Sequence, residues 1–362
     1  MAVVPGRGRR DSDAGLGWPP DRCGGLLPGD RHRYGKVRGL HWCHWLSGTR
    51  AVPAVVRIVE RLPSWRESDA RDAILRFVDR VTDPASPDFV PTDQRIAVFD
   101  NDGTLLAEQP IYFQTLYSIE RLRDRLLAEP ELAREQPFAG ARDGDFAAIS
   151  ATGIPGHLRL FGEATSGMSF EELDRDVRAW FKSARHPETG VLLSSLVYQP
   201  MLEVLALLRQ HQFQCWLITG SSVDLLRIFA PLLYDIPADR IAGSELTLST
   251  RYGADGVEVV RGSECSLIND GPEKVISIMR HIGGRPIAAF GNSDGDVPML
   301  EWVAAGNGPR LSALIHHTDA AREWAYDRDS DIGRLSRGLD LDTDGRFIRA
   351  DMARDWARIF PA

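Results

Sequence analysis

The sequence predicts an α/β fold built on a parallel sheet, with a block of helices inserted between the first two strands. Short apolar runs that end abruptly in turn residues occur at 96–100, 213–218 and 286–290, and such runs are typical of buried strands. Segments with helical spacing of apolar residues lie between these runs. Residues 107–198 hold several helical patterns but no long β-branched run, which indicates a helical insertion.

The overall composition is that of an ordinary soluble globular protein. The chain has 362 residues, enough for two domains or for one domain with a large insertion. A net charge of -8 gives no general affinity for nucleic acid or for an anionic membrane, and no apolar stretch reaches transmembrane length. Four cysteines are too few and too scattered for a disulfide framework. We therefore expect neither nucleic acid nor membrane as a partner, and the oligomeric state is left open.

Residues 1–62 differ from the rest because they are rich in Gly, Pro and Arg and show no sustained periodicity. We predict that they form a disordered or poorly packed extension. The segment 41–44 carries two histidines and a cysteine, but no second cluster matches the ligand spacing of a zinc site. The apolar stretch 51–59 is too short and too interrupted for a signal peptide. A cytoplasmic location is therefore expected, with a periplasmic or secreted one as the alternative if the true start differs.

The first helix is predicted at 68–81 and the first strand at 96–100. This strand breaks into Asp-Asn-Asp-Gly-Thr, so that Asp100 and Asp102 leave it one residue apart. Ligands of open α/β sheets bind just beyond the carboxyl ends of strands, and carboxylate and carbonyl oxygens are what Mg²⁺ prefers. The alternative is an Asx-rich turn that merely ends the strand.

The inserted block 107–198 is predicted to be a helical cap over the carboxyl edge of the sheet. One helix is expected at 111–127. Ser169, followed three residues later by Glu172, forms a capping box and predicts the start of another helix. Apolar residues as far as Phe181 line one face of that helix, which is typical of packing in a core.

Three further strand ends or helix starts carry polar residues. The strand 213–218 stops at the turn 219–222, of sequence Thr-Gly-Ser-Ser, and a helix follows. Such a turn presents backbone amides and a helix N-terminus to a phosphate, although a plain strand–helix turn is the alternative. Lys274 lies at a helix start, where a cation opposes the helix dipole; a surface lysine is the default interpretation. The strand 286–290 ends in the acidic loop 291–296.

The remaining elements carry less chemistry. A strand at 241–245 leads into a hairpin at 247–260, and another strand is expected at 311–315. We predict structural roles for the polar residues that follow it, His316, His317 and Asp319. The rest of the chain is predicted to be polar and helical.

Taken in order, two aspartates, a threonine, a lysine and an acidic loop resemble the four motifs of the haloacid dehalogenase (HAD) superfamily. The resemblance spans roughly residues 64–361 and is strongest to the phosphoserine-phosphatase-like hydrolases; the phrases at 98–104 and 290–296 are similar to a bacterial branch of them. It implies a three-layer α/β/α Rossmann-like parallel sheet with an inserted helical C1 cap. The implied domains are an extension at 1–62, a hydrolase core at 63–106 and 199–362, and a cap at 107–198.

The resemblance also implies a Mg²⁺-dependent phosphatase acting on a small phosphorylated metabolite. Asp100 would be the nucleophile that forms an aspartyl-phosphate, and Asp102 the general acid and base. The implied catalytic residues are Asp100, Asp102, Thr219 and Lys274. The implied substrate- or phosphate-binding residues are Gly103, Thr104, Glu108, Thr219, Gly220 and Lys274, and the implied metal ligands are Asp100, Asp102, Asn292 and Asp296.

The acidic loop departs from the commonest family pattern, because Asn292 stands where many relatives have aspartate. We expect a weaker metal site, with Asp296 supporting the ion directly or indirectly and Asp294 as an extra carboxylate; which of the three contacts the metal stays open. Asp102 favours a phosphatase over a dehalogenase or a P-type ATPase, since it supplies the proton that a leaving alcohol needs. The alternatives are a phosphotransferase or phosphomutase of the same fold, and a catalytically weak phosphate-binding relative.

Overall fold

Seven strands form a single sheet in the computed structural model, which describes residues 61–253, 256–342 and 345–361. The strands are β1 Ile96–Phe99, β2 Gln214–Ser222, β3 Ile241–Gly253, β4 Gly256–Leu267, β5 Ala288–Gly291, β6 Leu311–His316 and β7 Ile348–Asp351. Their order across the sheet is β4-β3-β2-β1-β5-β6-β7. The hairpin β3–β4 is antiparallel, and the other neighbours are parallel. The central strand is therefore the one that precedes Asp100.

Twelve α-helices occur in the same described ranges. They are α1 Asp69–Thr82, α2 Phe113–Ala128, α3 Phe138–Asp143, α4 Phe146–Ser150, α5 Gly153–Thr165, α6 Phe170–Phe181, α7 Gln199–Gln210, α8 Val223–Leu233, α9 Pro272–His281, α10 Val297–Ala304, α11 Arg337–Leu341 and α12 Met352–Asp355. The helices predicted at 68–81 and 111–127 correspond to α1 and α2. The start of α1 is set by Ser68, whose hydroxyl accepts the N–H of Arg71.

Apolar cores cover both faces of the sheet, because successive side chains of a strand point to opposite sides. Phe99 of β1 packs in the larger core, to which α1, α7 and α8 contribute, and stacks on Phe290 with ring centroids 4.5 Å apart. Val98 faces the smaller core together with Ile278 of α9 and Leu300 of α10. Helices, sheet and helices thus form three layers, and the predicted α/β/α Rossmann-like parallel fold is confirmed.

The predicted end of the second strand is wrong. β2 runs to Ser222, beyond the expected end at residue 218, because its pairing with β3 resumes at Ser222 opposite Ser244 after a shift in register. The segment 219–222 is therefore an irregular continuation of the strand and not a separate turn. Its irregularity still turns part of the backbone away from the regular ladder.

The strand β7 is also a correction, since the tail of the chain was expected to be helical. Ile348–Asp351 pairs with β6, with Ala350 opposite Ile315. A strand of four residues that includes the exposed Arg349 offers too short an apolar pattern to be recognised in sequence. Its position is decided by the neighbouring strand.

The inserted block carries α2–α6, and its capping box is confirmed. The Ser169 hydroxyl accepts the N–H of Glu172 at 3.2 Å, and the Glu172 carboxylate accepts the N–H of Ser169 at 2.8 Å. The buried Arg261 of β4 joins this block to the sheet. Its guanidinium donates to Asp224 at 3.0 Å and to the carbonyl of Ser169 at 3.2 Å.

Positions 1–60 of the predicted N-terminal extension lie outside the described residues. These positions include the segment 41–44 and the apolar stretch 51–59. The chain is described from residue 61, and Leu62 is already buried in the core. Trp65 packs edge-to-face on Trp356 with ring centroids 5.8 Å apart. Among the helices of the described residues, none is long and apolar enough to cross a membrane.

Candidate active site

Asp100 and Asp102 lie at the carboxyl end of the central strand. The main-chain N–H of Asp100 donates to the carbonyl of Phe290 on β5 at 3.0 Å, so the chain is still tied to the sheet where it leaves β1. Gly103 then turns the chain with a φ of +77°, and its N–H donates to the carbonyl of Leu106 at 2.8 Å. The turn leaves Asp100 5 % and Asp102 8 % exposed.

Lys274 is buried in the first turn of α9, where it bridges two carboxylates. Its ammonium donates to Asp100 Oδ1 at 2.7 Å and to Asp296 Oδ1 at 2.6 Å. Burial by itself lowers the pKa of this lysine, but the charges of Asp100, Asp296 and Asp270 and the hydrogen bond to Asp100 together raise it by more. The two ion pairs therefore explain why a cation is found at a helix N-terminus, and why it stays charged there.

The acidic loop is held in shape by Asp296. Its Oδ2 accepts the main-chain N–H groups of Asn292 and Ser293, each at 3.0 Å, and the Ser293 hydroxyl at 3.1 Å. A Cβ at Gly291 would overlap the Asp296 side chain, so only glycine fits there. Asp294 instead accepts the main-chain N–H of Ser336 at 3.0 Å and thereby holds the segment before α11.

Asp102 differs from Asp100 because no salt bridge reaches it within the described residues. Its Oδ2 accepts the Ser221 hydroxyl at 2.8 Å, and its Oδ1 is buried without a hydrogen-bond partner. Burial raises the pKa of Asp102, and the hydrogen bond from Ser221 works against that rise. Thr219 is fully buried, and its Oγ1 accepts the N–H of Ser221 at 3.0 Å. The structure thus brings Ser221 into contact with Asp102, and Thr219 into contact with Ser221.

Glu108 is 2 % exposed and lies beside Asn292. Its Oε1 accepts the Asn292 amide nitrogen at 2.8 Å and the Tyr326 hydroxyl at 2.8 Å. The Asn292 Oδ1 accepts the Thr104 hydroxyl at 3.0 Å. A Cβ at Gly103 would overlap both Asn292 and Glu108, which explains the glycine of the Asp-Gly-Thr turn.

His317 supports the turn from behind. Its Nε2 donates to the carbonyl of Gly103 at 2.8 Å, its Nδ1 faces the Glu323 carboxylate at 3.2 Å, and its ring stacks on Tyr326 with centroids 4.3 Å apart. The Tyr198 hydroxyl donates to Glu323 at 2.8 Å. These buried contacts agree with the structural role expected of His317. They also tie the tail of the chain to the site.

Two adjoining cavities open above the aspartates. The inner cavity has a volume of about 40 Å³ and is lined by Asp100, Asp102, Glu108, Gly220, Ser221 and Lys274. The outer cavity has a volume of about 250 Å³ and is lined by Tyr112, Ile154, His157, Asp270, Asp331 and Arg334. Tyr112, Ile154, Asp270 and Ser293 border both cavities. Because Tyr112 and Ile154 belong to the inserted block, that block forms one wall above the carboxylates.

The inner site carries more negative than positive charge. Asp100, Asp102, Glu108 and Asp296 surround it. Among the described residues that line the inner cavity, Lys274 is the only lysine or arginine. Burial first, then the charge of Asp296, raises the pKa of Asp100, and the Lys274 ammonium opposes this rise. Burial also raises the pKa of Glu108 well above its usual range. The site therefore favours either bound protons or a further cation.

This donor set fits a hard divalent cation such as Mg²⁺. The available groups are carboxylate and amide oxygens, and the buried Asp102 Oδ1 has no partner. Within the described ranges no group of three or more His, Cys, Asp or Glu side chains has the arrangement of a metal site. A cation here would therefore depend on main-chain carbonyl or amide oxygens in addition to carboxylates.

Every predicted site residue lies at this edge of the sheet, but not every one faces the inner cavity. Asp100, Asp102, Glu108, Gly220 and Lys274 line it. Thr104, Thr219, Asn292 and Asp296 lie at most 1 % exposed and contact the lining residues or one another. Ser221, Tyr326 and Asp270 were missed as individual residues. Of these three residues, only Ser221 had a signal in the sequence, because it belongs to the hydroxyl-rich segment Thr-Gly-Ser-Ser.

The chain belongs to the haloacid dehalogenase-like hydrolases: the model of that family matches residues 97–301, more than half of the chain. The matched range begins in β1 and ends in α10, so it contains the two aspartates, Lys274 and the acidic loop. A search of curated protein sequences found no match.

Several solved structures resemble the chain at low identity. A conserved protein of unknown function from Anaerococcus prevotii has 15 % identity and a TM-score of 0.47, covering 77 % of this chain and 90 % of its own. A protein of unknown function from Bordetella pertussis has 16 % identity and a TM-score of 0.43, covering 72 % and 99 %. A phosphoserine phosphohydrolase-like protein from Francisella tularensis has 17 % identity and a TM-score of 0.36, covering 61 % and 86 %. At these TM-scores the similarities carry no argument about activity.

Proposed function

We propose that this hydrolase is a Mg²⁺-dependent phosphatase that hydrolyses a small phosphomonoester through an aspartyl-phosphate on Asp100. The observation that supports this most is the different setting of two neighbouring carboxylates. Burial raises the pKa of both carboxyls, but Asp100 is paired with the Lys274 ammonium at 2.7 Å, which opposes that rise. Asp102 accepts the neutral Ser221 hydroxyl, and no salt bridge of the described residues includes it. Asp100 is therefore suited to act as an anion and Asp102 to carry a proton, and both line the inner cavity.

In the first step, a carboxylate oxygen of Asp100 attacks phosphorus in line while the bond to the leaving oxygen breaks. Lys274 holds Oδ1, which leaves Oδ2 for the attack. Asp102 donates its proton to the leaving alcohol. In the second step, Asp102 takes a proton from water, the water oxygen attacks phosphorus, and the carboxylate of Asp100 is released.

The phosphoryl oxygens would be held by Lys274 and by the backbone and hydroxyls around Thr219 and Gly220, because these groups offer positive charge and hydrogen-bond donors. A cation would be held by the Asp100 carboxylate, the Asp102 main-chain carbonyl and the Asn292 amide oxygen, with Asp296 supporting the loop. Bound there, Mg²⁺ would offset the repulsion between the nucleophile and the phosphate.

The inserted block 107–198 would act as a cap that excludes water from the reaction. Tyr112, Ile154 and His157 of this block line the outer cavity of about 250 Å³, which has room for a small leaving alcohol. The proposed substrate class is accordingly a small phosphorylated metabolite.

The test is hydrolysis of p-nitrophenyl phosphate and of a panel of phosphorylated metabolites, with and without Mg²⁺. We expect Mg²⁺-dependent release of phosphate by the wild type and loss of activity in Asp100→Asn. The matched control is Asp93→Asn, which makes the same exchange at an exposed position before β1 and should keep full activity. Full activity in Asp100→Asn would refute the proposed nucleophile, and turnover that rises with added alcohol acceptors would favour a phosphotransferase.

A further inference from the structure

We propose that Glu108 serves the cation site and not the phosphate: its carboxylate orients and polarises the amide of Asn292, and supplies the negative charge that an amide at this position lacks. Glu108 is thus a positioning residue that acts through Asn292. The inference rests on the Mg²⁺-dependent activity proposed above and deepens it.

The contacts of Asn292 decide which of its amide atoms points where. Glu108 Oε1 accepts the Tyr326 hydroxyl and the amide nitrogen of Asn292, each at 2.8 Å, whereas an amide oxygen of Asn292 in the same place would face an acceptor. The Asn292 Oδ1 then lies on the side of Thr104, whose hydroxyl donates to it at 3.0 Å. An amide oxygen has two acceptor positions, and one is left for a cation. Glu108 therefore determines that oxygen, and not nitrogen, is presented on the side of Thr104.

Glu108 is itself held in a single position. The Tyr326 hydroxyl donates to the same Oε1 at 2.8 Å, and the Tyr326 ring is stacked on His317. A Cβ at Gly103 or at Gly333 would overlap Glu108 Oε1, so both glycines leave room for this carboxylate. Such close support from several elements is what keeps a ligand-orienting group in a fixed geometry.

A phosphate-binding role fits these surroundings poorly. Glu108 carries the same sign of charge as a phosphate, and both hydrogen-bond donors that reach it, from Asn292 and Tyr326, are neutral. No salt bridge in the described part of the chain includes Glu108, although it is only 2 % exposed. A buried carboxylate without a cation is costly, and a divalent ion held by its hydrogen-bonded neighbour would offset that cost.

The experiment measures cation affinity directly, with Mn²⁺ as the probe in place of Mg²⁺. Chelator-treated full-length protein is titrated with Mn²⁺, and the free ion is followed by electron paramagnetic resonance. Glu108→Gln removes the charge but keeps an acceptor oxygen for Asn292 and Tyr326. We expect it to weaken Mn²⁺ binding about 10- to 100-fold, as loss of a partner behind a metal ligand does. Asp331→Asn, which removes a carboxylate from the outer cavity, should stay within about threefold of the wild type.

A double variant moves the carboxylate from one position to the other. Glu108→Gln combined with Asn292→Asp places the charge on the ligand itself, and we expect its Mn²⁺ affinity to return to within about threefold of the wild type. Should Glu108→Gln fail to fold, which thermal unfolding followed by circular dichroism would show, the double variant carries the test alone.

The outcomes separate this inference from the proposed function. Wild-type binding and turnover together with a Glu108→Gln affinity within about twofold of the wild type would overturn the role of Glu108 and leave the phosphatase standing. A double variant that binds Mn²⁺ no more tightly than Glu108→Gln would also overturn the role of Glu108. If the double variant is tested alone, Mn²⁺ binding no stronger than the non-specific background would overturn that role. A wild type that neither binds Mn²⁺ nor hydrolyses phosphoesters would overturn both.

Discussion

Replacing Lys274 by methionine tests the charge balance beneath the inner cavity. Methionine keeps an unbranched side chain but removes the ammonium that contacts Asp100 at 2.7 Å and Asp296 at 2.6 Å. The side chains of Lys274, Asp100 and Asp296 are 3 %, 7 % and 0 % exposed. In the variant the two carboxylates would therefore stay buried with no positive charge beside them. Removing one partner of a buried ion pair costs about 3–5 kcal/mol. We expect a loss of this size in the free energy of unfolding, measured by urea denaturation at pH 8 in the presence of a chelator.

The loss should depend on pH. Burial and Asp296 already raise the pKa of Asp100, and Lys274 opposes that rise, so the variant raises the pKa further. A carboxyl with a higher pKa in the folded than in the unfolded state stabilises the fold at low pH. That contribution is lost as pH rises from the unfolded pKa, about 4, through the folded pKa. The variant should therefore lose less stability at pH 5 than at pH 8.

The control is Lys182→Met, the same exchange at the exposed residue that follows α6, which should change the free energy of unfolding by no more than about 0.5 kcal/mol. A loss below about 1 kcal/mol for Lys274→Met at pH 8, well short of the cost of a broken buried pair, would refute the reasoning. An equal loss at both pH values would refute the titration of Asp100.

Two further substitutions test the turn after β1. Ser221→Ala removes the hydrogen bond that lowers the pKa of Asp102. If that bond is worth about 1.5 kcal/mol, the limb of the pH–kcat profile that is due to Asp102 should move to a pH about one unit higher. Ser222→Ala, which deletes a buried hydroxyl without a hydrogen-bond partner, should leave the profile in place, and equal profiles for both would contradict the role of Ser221. Gly103→Ala combines a φ of +77° with overlap on Asn292 and Glu108 and should cost about 2–5 kcal/mol in chemical denaturation. Gly144→Ala, at a φ of +69° with open space around it, should cost only about 1–2 kcal/mol, and equal losses would show that the close contacts at Gly103 do not matter.

Much of the fold was predictable because buried strands and amphipathic helices carry local patterns. The apolar run before Asp100 and the spacing of apolar residues in α1 needed no tertiary information. The capping box at Ser169 is equally local, since both of its hydrogen bonds join residues three positions apart. The end of β2 and the strand β7 were missed because pairing with a neighbouring strand, and not composition, decides where they lie.

For the candidate site, the sequence by itself determined which strand ends carry aspartates, a lysine and an acidic loop, because such residues interrupt apolar runs. Only the tertiary structure decided the partners: the ammonium of Lys274 between Asp100 and Asp296, and the hydroxyl of Tyr326 on Glu108 from 218 positions away. Contacts between distant segments depend on how the strands and helices pack, and no local pattern records them. The same packing buries the carboxylates, and burial is the first cause of the raised pKa of Asp102, on which the proposed proton transfer depends.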